Sequence, residues 1–326
     1  MSDSERGRQA RGSAGPGEAG DLILGLDVGG TKTAVVVGTR GGEVRRRRAF
    51  PSGAERGFEA MWGDIAAGAG EALAAEPGIG AIGVSIGGPM DPYEGVILGP
   101  PHLPGWERVP LRALIEERFS LPAYVEHDAK TGALAEWMFG AGRGTDNMVF
   151  LTAGTGLGGG IIADGRLLRG AASAAGECGH WRIAADGPLM FGKRGSWESY
   201  ASGAGMAALA RERFPARFSA ASAAELADLA RAGDREARAV IAESAEALGR
   251  GLALLVDLLA PEVIALGTLA RHMRDIWLEP AIEVMQSEAL AESAARCRVV
   301  PAALGDSLGD VAALCAAIYR QQEEEQ

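Results

Sequence analysis

Two short turns of glycine and threonine, one in each half of the chain, constrain this sequence more than any other feature. The first is Asp27-Val28-Gly29-Gly30-Thr31-Lys32-Thr33 and the second is Thr152-Ala153-Gly154-Thr155-Gly156-Leu157-Gly158-Gly159-Gly160. Each follows an apolar run rich in β-branched residues (22–26 and 148–151) and leads into another (34–37 and 161–162). Strand, glycine turn, strand reads as a hairpin whose tip presents backbone N–H groups, with side chains small enough for phosphate oxygens to approach. A P-loop would instead run from strand into helix and end in Gly-Lys-Ser/Thr, and neither turn does so. A phosphate-cradling hairpin in each half predicts a duplicated nucleotide-binding core that closes on ATP from two sides.

The rest of the chain supports a repeat. From Asp21 the periodicities predict strands at 22–27, 34–39 and 44–50, a helix at 58–75 and a strand at 79–86. A Pro- and Gly-rich loop (87–106) follows, then a helix at 111–119, a strand at 123–126 and a helix at 128–139 that Gly140 and Gly142 stop. The second half repeats the plan: strands at 147–153, 159–163 and 181–184, helices within 197–251, a strand at 263–266, a helix at 275–289, a strand at 298–301 and a helix at 309–319. Three strands and then helix–strand alternation, occurring twice, is an internal structural repeat. The expected organisation is a disordered tail (1–20), an N-terminal lobe (21–140) and a C-terminal lobe (141–326) whose last helix packs back on the first lobe. Residues 140–146 are the expected hinge. A stripe of apolar residues within 234–259, spaced i, i+3, i+4, i+7, predicts core packing or a subunit interface.

With 326 residues the chain has room for two cores. Its net charge of −11 argues against a nucleic-acid or anionic-membrane surface. Arg45, Arg46, Arg47 and Arg48 form the one basic block, and their alternating directions suit a solvated edge strand. Cys178, Cys297 and Cys315 have no metal-ligand spacing, which fits a reducing compartment. The polar first 20 residues lack an apolar signal core. The stretch 252–260 is too short to span a bilayer and carries Asp257. A cytoplasmic location is expected.

Phosphoryl transfer requires phosphate positioning, a metal, and a group that orients and deprotonates the acceptor. Asp27, at a strand end before the first glycine turn, suits Mg²⁺ held directly or through water; an Asp there also suits turn stabilisation. Lys32 either touches phosphate or is solvated. Asp128 is the candidate base: it lies at the carboxyl end of a strand, where ligands collect in open α/β sheets, although helix N-capping explains an Asp there too. His102, His127, Glu177, His180 and Glu198 gather in the same segments and include three of the four histidines. A set of oriented polar groups of this kind suits sugar hydroxyls.

These segments resemble the ROK family (repressors, open reading frame proteins and sugar kinases). Asp27-x-Gly29-Gly30-Thr31-Lys32 and Gly154-Thr155-Gly156-x-Gly158-Gly159-Gly160 look like its two phosphate motifs. Pro101-His102-Leu103-Pro104-Gly105-Trp106 looks like its sugar loop, Glu126-His127-Asp128-Ala129-Lys130 its catalytic segment, and Gly176-Glu177-x-Gly179-His180 its sugar-binding motif. The resemblance runs from Asp21 to about Ala316. It implies an α/β, two-lobed actin/hexokinase-like (ribonuclease H-like) duplicated fold with central mixed sheets and an interlobe cleft. It implies ATP and Mg²⁺ as cofactors, Asp128 as base, and a sugar site of Gly88, His102, His127, Asp128, Glu177, His180 and Glu198. The nucleotide site would comprise Gly29, Gly30, Thr31, Lys32, Thr33, Gly154, Thr155, Gly156 and Gly267, with Asp27 for magnesium.

The departures shape the expectations. His102 and His127 stand where the family usually has Asn. Leu189, Phe191 and Ser196 occupy the positions of the three cysteines that, with a histidine, hold a structural zinc in many members, so no zinc is expected. A hydrophobic plug of Leu189, Phe191 and Trp197 is expected to brace the loop instead, and some other partner must hold His180. Leu266-Gly267-Thr268 replaces a frequent Gly-Gly at the adenosine site. The resemblance thus implies an ATP-dependent hexose kinase, with glucose as first acceptor and N-acetylglucosamine, N-acetylmannosamine or fructose as alternatives. A non-catalytic sugar sensor and an actin- or chaperone-like ATPase are the rivals, and a homodimer is the expected assembly.

Overall fold

The computed structural model describes residues 20–325, so the expected disordered tail, apart from Gly20, lies outside the described residues. The first half contains β1 (Leu22–Val28), β2 (Lys32–Thr39), β3 (Val44–Pro51) and β4 (Ile79–Ile86). It continues with the short β5 (Met90–Asp91), β6 (Val96–Leu98) and β7 (Glu107–Val109), then β8 (Ala123–His127). The second half contains β9 (Met148–Leu151), β10 (Gly159–Ala163), β11 (Arg166–Leu167), β12 (Leu189–Met190), β13 (Lys193–Arg194), β14 (Val263–Leu266) and β15 (Arg298–Pro301). Two five-stranded sheets result, ordered β3-β2-β1-β4-β8 and β11-β10-β9-β14-β15. In each, the first three strands are antiparallel and the last two run parallel to the first. The same order and directions in both halves establish the duplication. The central parallel strands β4 and β14 are buried almost throughout, as the apolar runs require.

Helices α1 (Phe58–Ala75), α2 (Leu111–Phe119) and α3 (Asp128–Phe139) belong to the first half of the chain. The second half holds α4 (Glu198–Ala201), α5 (Gly203–Arg213), α6 (Ala223–Arg231), α7 (Arg235–Leu259), α8 (Thr268–His272), α9 (Glu279–Glu288), α10 (Ala291–Ala294) and α11 (Leu308–Glu324). The two end helices change sides: α3 packs on β9 and β10, whereas α11 packs on β1 and β4 and against α3. Glycine permits both crossings. A Cβ at Gly83 would stand 2.2 Å from the Ala313 carbonyl oxygen under α11, and one at Gly160 would stand 2.3 Å from that of Ala129 under α3. Division of the chain at residue 140 therefore separates the sheets but not the helices that cover them.

Residues 140–146 form a braced connection. The fully buried Glu136 carboxylate accepts from the backbone N–H groups of Ala141 (2.7 Å), Ala303 (3.0 Å) and Leu304 (2.9 Å). Trp137 Nε1 donates to Thr145 O, and Asp146 N to Glu262. Glu136→Ala would strand three backbone donors, so a loss of about 2–4 kcal/mol is expected, from 1–3 kcal/mol for each unsatisfied buried group less solvent rescue. The urea midpoint measures it, and an unchanged midpoint would show that water replaces the carboxylate.

The structure corrects several local expectations. Residues 181–184 form no strand; a single bridge joins Arg182 to Ser196. The third strand of the second sheet is β11, reached through an Asp164-Gly165 turn with both residues left-handed (φ 50° and 71°). Asp-Gly is the sequence signal for that two-residue hairpin. The helical region 197–251 is interrupted at Ser202, which caps α5, and again before α6 and α7, which Ser222 and Asp234 cap. The helix expected to begin at residue 275 begins instead as a π-helical turn, Arg274–Leu278. The stripe of α7 is spent within its own lobe, with Val240, Ile241, Leu248, Leu252, Leu255 and Val256 buried against α6 and α9. Arg45, Arg46, Arg47 and Arg48 do lie exposed on the edge strand β3. Among the described residues no helix is long and apolar enough to cross a membrane.

Candidate active site

The first glycine turn joins β1 to β2 and closes with Gly29 N donating to Lys32 O. Thr31 and Lys32 are exposed at its tip. Thr33 is not: it is fully buried, its hydroxyl pairs with Ser52 Oγ at 2.8 Å, and Ser52 Oγ in turn donates to Gly29 O. Thr33 therefore shapes the turn from below and presents no group at the tip. The second turn joins β9 to β10 and packs on the first turn of α3, where a Cβ at Gly158 would meet Ala129 Cβ at 3.4 Å. Its tip is anchored by Gly203 N donating to Gly154 O and Ala204 N to Thr155 O. Gly267 lies under this turn: a Cβ there would stand 1.9 Å from Thr152 O, so close packing by itself requires glycine.

Asp128 and two histidines meet at the end of β4. A Cβ at Gly87 would stand 2.6 Å from His102 Cε1 and 3.7 Å from Asp128 Oδ2, and one at Gly88 would stand 3.0 Å from His127 Nε2. His102 also touches the first turn, since a Cβ at Gly30 would lie 2.8 Å from its carbonyl oxygen. The cap of α3 is His127, whose Nδ1 accepts from Ala129 N (3.2 Å), and Asp128 Oδ1 converges on the same N–H (2.6 Å). The second oxygen of Asp128 remains on a side chain about half exposed. His127 and Asp128 therefore share the capping N–H, and Asp128 keeps one carboxylate oxygen outside that bond.

Glu198 Oε2 accepts from Leu157 N at 2.8 Å, tying the second turn to α4. Burial raises its pKa, and that hydrogen bond opposes the rise. Glu177 and His180 are exposed, with Oε2 and Nε2 4.0 Å apart. Between them Cys178 is buried and its thiol is pushed up to about 12, so it carries no thiolate chemistry.

Asp27 has the strongest electrostatic signature of the acids. Burial, then Asp310, then Asp128 push its carboxyl up to about 6, against weaker opposition from Lys32 and Arg47. Gly309, at the start of α11, allows this approach: a Cβ there would stand 2.5 Å from Asp27 Oδ2. Asp310 pairs with Arg47 at 2.7 Å. An excess of carboxylate beside a glycine turn would suit a divalent cation if that turn receives phosphates. Among the described residues no group of three or more His, Cys, Asp and Glu could itself hold a metal ion.

Three contributors escaped the sequence. Lys130 is buried and donates to Ser173 O at 2.8 Å, pinning the loop that precedes Glu177, and burial lowers its pKa. Arg169 bridges Glu126 of the first sheet (3.0 Å) and Glu323 of α11 (2.9 Å). The expected plug does not form: Trp197 is buried against Trp181, but Leu189 and Phe191 are 64% and 50% exposed. Phe191 stacks on His180 instead, at 3.9 Å between ring centroids. None of these pairings repeats at a short sequence interval, which is why periodicity missed them.

Among known proteins, the chain is 34% identical over 219 residues to the xylose repressor of Caldicellulosiruptor bescii, covering 64% of this chain and 55% of that one. The chain therefore spans only about half the length of that relative. It is 31% identical over 303 residues to a glucokinase of Halalkalibacterium halodurans, covering 88% and 92%. In structure it superposes on the ROK hexokinase of Thermus thermophilus with a TM-score of 0.82 at 32% identity, covering 93% and 99%. A ROK family glucokinase from Streptomyces griseus in complex with glucose and AMPPNP gives 0.75 at 31%, covering 90% and 98%. The model of the ROK family matches residues 23–320, and with the duplicated sheets and paired turns behind that match, the chain belongs to the ROK family.

Proposed function

We propose that this protein is an ATP-dependent hexose kinase, with glucose the first acceptor and glucose 6-phosphate the product. The observation that carries the reading is the meeting of Asp128 with His102 at Gly87, while His102 abuts the first glycine turn and the second turn packs on the helix that Asp128 begins. That proximity supports a base and two phosphate-binding turns acting on one pair of substrates. The glucokinase and hexokinase relatives, one solved with glucose and AMPPNP, support the same chemistry.

In this reading His102, His127, Glu177 and His180 hold the sugar by its hydroxyls. Asp128 accepts the proton of the acceptor hydroxyl as that oxygen bonds to the γ-phosphorus, and the bond from phosphorus to the bridging oxygen breaks to leave ADP. The N–H groups of the two turns, with Lys32, face the charge that builds on the transferring phosphoryl. Magnesium would neutralise phosphate charge when bound, and Asp27 would hold it, directly or through water. The protein would reside in the cytoplasm, where ATP is supplied and its three free cysteines stay reduced. On α7, Leu254 and Leu258 are the apolar residues left exposed for a homodimer.

An ADP-release assay over glucose, N-acetylglucosamine, N-acetylmannosamine, fructose and xylose tests the reading. Sugar-dependent release is expected with glucose highest. The repressor relative makes one outcome specific: sugar binding without ADP release would replace the kinase with a sensor. Release independent of any sugar would indicate an ATPase.

A further inference from the structure

Strands β12 and β13 pair Met190 with Lys193 and Leu189 with Arg194, leaving Phe191 and Gly192 as a two-residue turn. Both are left-handed, with φ of 53° and 70°, as a type I′ hairpin requires. Asn, Asp or Gly ordinarily takes the first position, because a larger side chain is strained there. Phe191 is also half exposed, so burial does not offset that strain. What its ring does meet is the imidazole of His180, with centroids 3.9 Å apart and planes 28° from parallel. The same hairpin holds the backbone of that residue, for Lys193 Nζ donates to His180 O. An unfavourable residue at a turn, unrewarded by burial and stacked on a candidate sugar contact, is strain of the kind kept at functional sites.

We propose that Phe191 is a positioning residue whose ring sets the plane of the His180 imidazole toward the sugar. The inference rests on the kinase reading for the role of His180, but the stack itself does not depend on it. With the ring fixed, His180 meets a hydroxyl without first losing rotamer freedom. Without it, the exposed imidazole must be ordered by the sugar itself, which weakens sugar binding and leaves ATP binding alone.

Phe191→Asn separates this role from a structural one, because Asn suits the turn better than Phe. The variant should melt no lower than the parent. Sugar KM should rise about 3- to 10-fold, the range expected of one aromatic contact, with ATP KM and kcat nearly unchanged. Phe191→Tyr should restore sugar KM. A second readout needs no turnover: the His180 ring protons, identified in the full-length protein by their loss in His180→Gln, should move downfield in Phe191→Asn and stay in place in Phe191→Tyr. A parent enzyme that phosphorylates no sugar would defeat the kinase reading before any variant is made. If the parent is active, unchanged ring-proton positions or an unchanged sugar KM in Phe191→Asn would overturn the positioning role.

Discussion

Asp128→Asn is expected to lower kcat by about 10²- to 10⁴-fold, the range attributable to a general base, while sugar KM changes little. The carboxamide keeps the shape of the carboxylate and one acceptor oxygen, so it can still accept from Ala129 N as Asp128 Oδ1 does at 2.6 Å. It cannot take up a proton. Helix α3 should survive the change because its cap is His127, which accepts from the same N–H. The melting temperature should therefore stay near that of the parent, separating lost chemistry from lost structure. Steady-state ADP release at saturating sugar and ATP measures the effect. Turnover within a few-fold of the parent would remove Asp128 from the role and leave it a sugar-facing polar group.

Asp27→Asn is expected to stabilise the ligand-free protein while suppressing its activity. The carboxyl of Asp27 is pushed up to about 6 from an ordinary 3.8, first by burial and then by Asp310 and Asp128. The folded chain thus holds that proton more tightly than the unfolded chain, and the ionised acid destabilises the fold above pH 6. Stability from this residue rises as pH falls from about 6 toward 4 and is lost again as pH rises. An uncharged Asn escapes the penalty, so the variant should gain about 2–3 kcal/mol at pH 7.5, from two pKa units at 1.36 kcal/mol each. The advantage should shrink as pH falls through about 6 and vanish only below the unfolded-state value of 3.8, where the parent is protonated in both states. Denaturant melts across that range test the sign, and a variant less stable than the parent at pH 7.5 would refute it. Turnover should fall in the same variant because the carboxylate proposed to hold the cation, directly or through water, is gone. A more stable, less active protein is the expected mark of an acid kept for function at the expense of the fold.

The order of strands and helices in both halves was readable because it depends on patterns a few residues long. Apolar runs on either side of the glycine turns became β1, β2, β9 and β10, and the i, i+4 stripe of 234–259 became α7 with Asp234 as its cap. The repeat of those patterns indicated a duplicated α/β core, and the resemblance to the ROK family supplied its actin/hexokinase-like type. Misreadings came where a local signal was short or where packing overruled it. The Asp164-Gly165 turn announced a two-residue strand too brief for periodicity, and residues 181–184 had strand-like composition but only Ser196 to pair with.

The candidate site divides along the same line. Motifs selected Asp27, His102, Asp128 and both glycine turns, each from its immediate neighbours. Folding alone placed Thr33 beneath its turn, bound Glu198 to Leu157 N, and set Asp310 near enough to Asp27 to alter its ionisation. It also moved α3 onto the second sheet, opposite the expected return of α11 to the first, and laid Phe191 on His180. Hairpin tips, caps and amphipathic stripes form from interactions within one element, so their signature is written into consecutive residues. Ion pairs, stacked rings and shared burial join residues far apart in the chain, and only the closed path of the backbone decides which of them meet.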